Sequence, residues 1–265
     1  MLLRVGPSSV SRRAFQTTGR PASTSTAGAA LRAGLEGRGC GSVTLFAKGR
    51  LAWAAQAILF DLDGVLVDSR ECVRHVWEAW AAKHGFDACD FLKVAHGRRT
   101  RETLRLVSPT LDIAREVAVL DRMEETEIRG LRPLAGALEL LTSLPANRWG
   151  IVTSGSLKVA TLRLDVAGLP RPRVFVTGEE VTNGKPDPEG FLAAAAALGA
   201  KPQECLVLED APPGVAAAKA AGMTVVAVLT THERTHLKGA DAFVRDLNAI
   251  AITSTARQVT VTFTT

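Results

Sequence analysis

The sequence predicts an α/β fold: a doubly wound, mainly parallel sheet with an inserted helical domain. Three observations predict it. Short apolar runs alternate with helical stretches from Gly150 to Val244. Those runs lack the polar alternation of a half-exposed strand, so they read as strands buried on both faces. One region, residues 69–134, is helical throughout and breaks the alternation after the first strand.

The elements follow in chain order. Ala57–Phe60 is a short apolar run that stops at Asp61, as a buried strand does at a polar loop. Over residues 70–84, Val73, Val76, Trp77, Trp80, Ala81 and His84 share one helical face. That places the two tryptophans in the core of the insertion. Ile113, Val117 and Leu120 repeat the helical spacing, and Leu138, Leu141 and Leu144 mark another helix. Then come strand 150–152, helix 156–166, strand 174–176, helix 188–198, strand 206–208, helix 214–221 closed by Gly222, strand 225–229 and strand 242–244. Val259–Phe263 alternates and predicts an added edge strand. The Ala-rich stretches 193–197 and 216–221 are helices that pack close to the sheet.

The charge is uneven. The chain carries 32 basic and 27 acidic residues, a net +5. Residues 1–50 hold eight basic residues against Glu36 alone, so the remainder is −2. This first segment is rich in Ser, Thr, Gly and Ala without hydrophobic period, which predicts a disordered basic leader or a spurious extension. An organelle transit peptide is the other reading of that composition. With the charge confined there, the folded part implies no nucleic-acid partner. No apolar run reaches the ~18–20 residues of a membrane span. Cys40, Cys72, Cys89 and Cys205 show no CxxC spacing, which favours a reducing compartment and a cytoplasmic location. The domains expected are the leader at 1–50, an α/β core at 51–68 and 135–265, and the helical insertion at 69–134.

In a parallel sheet, ligands bind beyond the carboxyl ends of the strands. There stand Asp61 and Asp63, then Thr153 and Ser154, then Glu209 and Asp210, with Lys185 before a helix. Four carboxylates in one crevice repel one another unless a cation sits among them, and oxygen-only ligands favour Mg²⁺. A lysine and a small hydroxyl beside such a site suit a phosphoryl group.

Four segments resemble, in order, the motifs of the haloacid dehalogenase-like (HAD) hydrolase superfamily: Phe60–Ser69 (FDLDGVLVDS), Val152–Ser156 (VTSGS), Gly184–Pro188 (GKPDP) and Leu208–Gly214 (LEDAPPG). The likeness covers residues 57–250, and the insertion matches the family's helical cap. The sequence is most similar there to sugar- and polyol-phosphate phosphatases, through His96–Thr100 and Asp210–Lys219. The resemblance implies a Rossmann-like core and Mg²⁺-dependent hydrolysis of a small phosphorylated sugar or polyol. Asp61 would be the nucleophile and form an aspartyl-phosphate. Asp63 would serve as acid and base, with its backbone carbonyl on the metal. Asp210 would be the main metal ligand of the fourth motif, with Glu209 behind it. Lys185, Thr153 and Ser154 would bind the phosphoryl group. His96 and Arg98, with Arg99 beside them, are candidates for substrate contact, or form a solvated basic turn. Hinges are expected near Asp68–Arg70 and Leu131–Gly136. The alternative within the family is a phosphosugar mutase of the β-phosphoglucomutase type. A phospho-aspartate signalling receiver places similar residues at strand ends, but it has no such insertion and no need of Asp63.

Overall fold

The computed structural model describes residues 43–46, 50–255 and 258–264. The reading of residues 1–42 as a leader lies outside them. The strands are β1 (Val43–Phe46), β2 (Arg50–Ala55), β3 (Ala57–Phe60), β4 (Val67–Asp68), β5 (Arg132–Pro133), β6 (Trp149–Val152), β7 (Val174–Val176), β8 (Cys205–Glu209), β9 (Thr224–Val228), β10 (Ala242–Val244), β11 (Ile250–Ser254) and β12 (Val259–Thr264). The helices are α1 (Arg70–His84), α2 (Ala88–Ala95), α3 (Thr100–Val107), α4 (Ile113–Glu124), α5 (Ala137–Ser143), α6 (Leu157–Ala167), α7 (Glu189–Ala197) and α8 (Pro212–Ala220).

Six strands form a parallel sheet in the order β10-β9-β8-β3-β6-β7. Its strands are apolar because both faces are covered. Ile58 and Phe60 of β3 join the core under α5 and α6, whereas Ala57 and Leu59 join the core under α7 and α8. Side chains alternate across a strand, so one short run supplies two cores. Each large side chain fully buried there contributes ~1.5–3 kcal/mol. Along α5 the buried set is Ala137, Leu140, Leu141 and Leu144, whereas Leu138 is exposed. Of the expected Leu138, Leu141 and Leu144, the last two are buried, and Ala137 takes the inward place in the first turn where Leu138 points out.

The C-terminal strand departs from expectation. β12 is not an edge strand: it lies inside a second, antiparallel sheet of order β1-β2-β12-β11. The run Leu51–Phe60 splits at Gln56 into β2 and β3, which belong to different sheets. β1 and the start of β2 fall inside residues 1–50, so the folded part begins earlier than the composition suggests. Val259, Val261 and Phe263 of β12 and Trp53 of β2 pack into the α5/α6 core. That burial explains the alternation of the terminal segment.

The helical insertion comprises α1 to α4. It has its own core of Val76, Trp77, Trp80, Phe91, Leu104 and Leu120. Trp77 stacks on Phe91 at 5.3 Å, and the Trp80 indole donates to Glu116 at 2.8 Å. The two connections pair as β4 and β5, Val67 with Pro133 and Asp68 with Arg132. Asp68 accepts from Arg70 (2.8 and 2.9 Å) and from Arg132 (2.5 Å), and Arg70 above all holds its carboxyl below the usual range. The expected hinge segments are thus clasped by one buried carboxylate. Among the described residues, no helix is long and apolar enough to cross a membrane.

Candidate active site

The parallel register sets the site. β3, β6 and β8 end side by side, which places Asp61 and Asp63, Thr153 and Ser154, and Glu209 and Asp210 along one edge. Lys185 enters from the loop before α7. Its ammonium donates to Asp61 and, at 2.7 Å, to Glu209, and it lies 5.2 Å over the Phe191 ring. Asp61, Lys185, Glu209 and Asp210 are all buried.

Burial dominates the electrostatics. It pushes the Asp61 carboxyl up to about 7 against the opposing pull of Lys185, with Glu209 and Asp63 adding to the rise. Asp210 is raised in the same way, by burial and then by Glu209 and Asp61. Lys185 is held above its ordinary value because the two carboxylates outweigh its burial.

Glu209 is committed elsewhere than to an open ligand position. One oxygen accepts Lys185, and the other accepts the backbone N–H groups of Asp210 (2.8 Å) and Ala211 (2.9 Å). Any Cβ at Gly214 would overlap the Glu209 carboxylate, so glycine there lets α8 close down on it. Gly64 adopts φ +84°, and a Cβ there would overlap the Asp210 carboxylate. Thr231 donates its hydroxyl to Asp210, and Thr230 donates to the Gly64 carbonyl.

The second strand end splits in role. Thr153 is buried, and its hydroxyl accepts the Gly155 N–H at 3.1 Å. Ser154 donates to the Gly97 carbonyl of the insertion at 3.0 Å, so its hydroxyl bridges insertion and core, and the residue also lines the cleft beside Asp61 and Thr153. His96 and Arg98 both line the cleft that holds Asp61, Asp63 and Thr153. The cleft holds a cavity of about 70 Å³. Burial and the neighbouring His232, whose ring is 6.0 Å away, hold the His96 imidazole below its ordinary value.

Arg99 has another place. Its guanidinium donates to the carbonyls of Gly178 (3.2 Å), Val181 (2.9 Å) and Thr182 (3.0 Å) and to Glu102 (2.8 Å). It bolts the insertion to the loop that carries Lys185 and has no donor left to offer a substrate. Arg99→Ala leaves three carbonyls without this donor. The expected result is ~1–3 kcal/mol lower stability and faster amide exchange across residues 178–184, read by denaturant titration and hydrogen exchange.

Sequence reasoning missed several residues here. Thr230, Thr231 and His232 follow β9, and the strand-end rule applied to the other strands would have found them. Arg163 of α6 donates to Asp63 at 2.6 Å and to Glu124 at 3.2 Å. Its signal was a charged residue at an inward position of a helix, beside Val159, Ala160 and Ala167.

The donor chemistry fits a hard divalent cation. Asp61 and Asp210 are carboxylates raised by burial and then by repulsion from Glu209, and Asp63 Oδ1 is buried with no hydrogen-bond partner. Among the described residues, no three His, Cys, Asp or Glu side chains form a ready-made metal cluster. A cation there would need backbone oxygen, water or substrate to complete its shell.

A parallel sheet with acidic strand ends, a buried lysine between two carboxylates and a helical insertion over the cleft defines a class of α/β hydrolase. Residues 55–222 match the model of the haloacid dehalogenase-like hydrolases, and the chain belongs to that family. It is 43% identical to hexitol phosphatase A of Escherichia coli, over 75% of this chain and 94% of that protein. It is 33% identical to 2-deoxyglucose-6-phosphate phosphatase 2 of Saccharomyces cerevisiae, over 73% of this chain and 89% of that protein. A hydrolase from Pseudomonas syringae has the same fold, with a TM-score of 0.67 and 30% identity over 73% of this chain and 94% of that one.

Proposed function

We propose that the protein is a phosphoric monoester hydrolase that removes phosphate from small sugar or polyol phosphates through an aspartyl-phosphate on Asp61. The observation that carries this reading is the Asp61–Lys185–Glu209 ion cluster at the strand ends, opening on a cleft that Asp63 also faces. The similarity to named sugar and polyol phosphatases supports the substrate class.

An Asp61 oxygen attacks phosphorus, and the bond from phosphorus to the sugar oxygen breaks. Asp63 gives that oxygen a proton, so the alcohol leaves neutral. Asp63 then takes a proton from water, whose oxygen attacks the same phosphorus, releasing phosphate and restoring Asp61. Lys185 holds its charge beside Asp61 throughout and offsets the negative charge of the phosphoryl oxygens. Thr153 lines the same end of the cleft. The insertion acts as the cap: His96 and Arg98 face the alcohol, and water is shut out until it leaves.

The family implies a divalent cation, and Mg²⁺ suits these donors. Asp61, Asp210 and the Asp63 backbone carbonyl would hold it, and it would supply positive charge to the phosphoryl oxygens. A screen of glycerol, hexitol and hexose phosphates tests the reading. Phosphate release with Mg²⁺ that stops with a chelator is the expected result. Conversion of β-glucose 1-phosphate to glucose 6-phosphate without free phosphate would replace it with the mutase reading.

A further inference from the structure

Arg163 is a buried arginine on a helix face that is otherwise apolar, in company with Val159, Ala160, Leu164 and Ala167. A guanidinium is rarely placed there without paired charges. Its two partners come from different parts of the chain. One arm donates to Asp63, just beyond β3, and the other to Glu124, the last residue of α4 in the insertion. The guanidinium is planar and rigid, so a shift of either carboxylate moves the other's partner. Asp63 has one oxygen held by this fork. Its other oxygen, Oδ1, is buried and has no partner. Asp63, Glu124 and Arg163 all line the cleft with Asp61.

We infer that Arg163 is a positioning residue that holds Asp63 by one oxygen, aims the other into the cleft, and ties this hold to the seated cap through Glu124. The inference rests on the acid role given to Asp63 above. A general acid must lie within ~2.6–3.2 Å of the oxygen it protonates, so loss of the tether acts on the chemical step. Substrate binding is affected less, because Arg98 and His96 are untouched.

Leaving groups separate this role from a structural one. The alcohol of a polyol phosphate leaves only with a proton, whereas nitrophenolate leaves without one. In single-turnover measurements of leaving-group release, ahead of the water-attack step in which Asp63 serves both substrates alike, Arg163→Gln is expected to slow a hexitol or glycerol phosphate by ~10²-fold, with KM little changed and with p-nitrophenyl phosphate slowed far less. Glu124→Gln shows the same split in smaller measure, and Arg163→Lys falls between Arg163→Gln and the parent. Should Arg163→Gln fail to fold, Glu124→Gln, placed on the cap, carries the comparison. Equal losses on both substrates, or a raised KM at unchanged kcat, overturn the inference while the phosphatase reading stands. A parent protein that releases phosphate from neither substrate overturns both.

Discussion

Asp61→Asn is expected to abolish turnover, by about 10⁴-fold or more, the scale of losing a covalent nucleophile, while leaving the fold intact. The stability side follows from linkage. Asp61 sits at about 7 in the folded chain, well above 3.8, the ordinary aspartate value. The unfolded chain gives up that proton first, so the folded state loses stability as pH rises from about 4 through 7. Asp210, raised for the same reasons, adds to the slope. In chelator, the parent's melting temperature is expected to fall across that window, and Asp61→Asn to show a shallower fall. A divalent cation restores the parent's stability chiefly at the upper end of the window, where the carboxylates are ionised. A variant that keeps full turnover, or a parent whose stability rises between pH 4 and 7 in chelator, contradicts the assignment.

Lys185→Met is expected to damage activity and stability together. The ammonium is 5% exposed and lies between Asp61 and Glu209, the latter wholly buried. Methionine fills similar volume but leaves both carboxylates without their cation. Removing one partner of a buried ion pair costs ~3–5 kcal/mol. Loss of the charge beside the phosphoryl oxygens costs about 10²–10³-fold in kcat, the usual effect of deleting one electrostatic stabiliser. The two variants thus move stability unequally: Asp61→Asn removes one charge from a crowded acidic cluster, whereas Lys185→Met removes the ammonium that pairs with Asp61 and Glu209. Urea titration of both at pH 7 in chelator reads the contrast. Equal stabilities would mean that the cluster's charge balance does not govern the core.

The parallel core was legible because its strands are short, apolar and buried on both faces, and that pattern survives in a single sequence. The meeting of Asp61, Asp63 and Asp210 at one edge was legible because strand ends in such a sheet converge there, and Lys185 joins them from the loop before α7. The second sheet was not legible. β1 is a run of only four residues between small and polar flanks, and β2 runs into β3 with only Gln56 between them, so the two read as one run. The roles of Ser154, Glu209 and Arg99 depended on pairings across long separations: Ser154 with Gly97, Glu209 with Lys185, Arg99 with the 178–184 loop. Periodicity fixes which face a side chain takes and says nothing of which distant chain segment meets it. The same reason hid Arg163, whose partners lie 100 and 39 residues away.

Acid-quenching a single turnover on a labelled hexitol or glycerol phosphate, then mapping the peptides, locates the phosphoryl group on the chain. The expected result is label on the peptide that contains Asp61, absent in Asp61→Asn. Label on a histidine or serine instead, or full phosphate release with no labelled peptide at any quench time, would contradict covalent catalysis by Asp61.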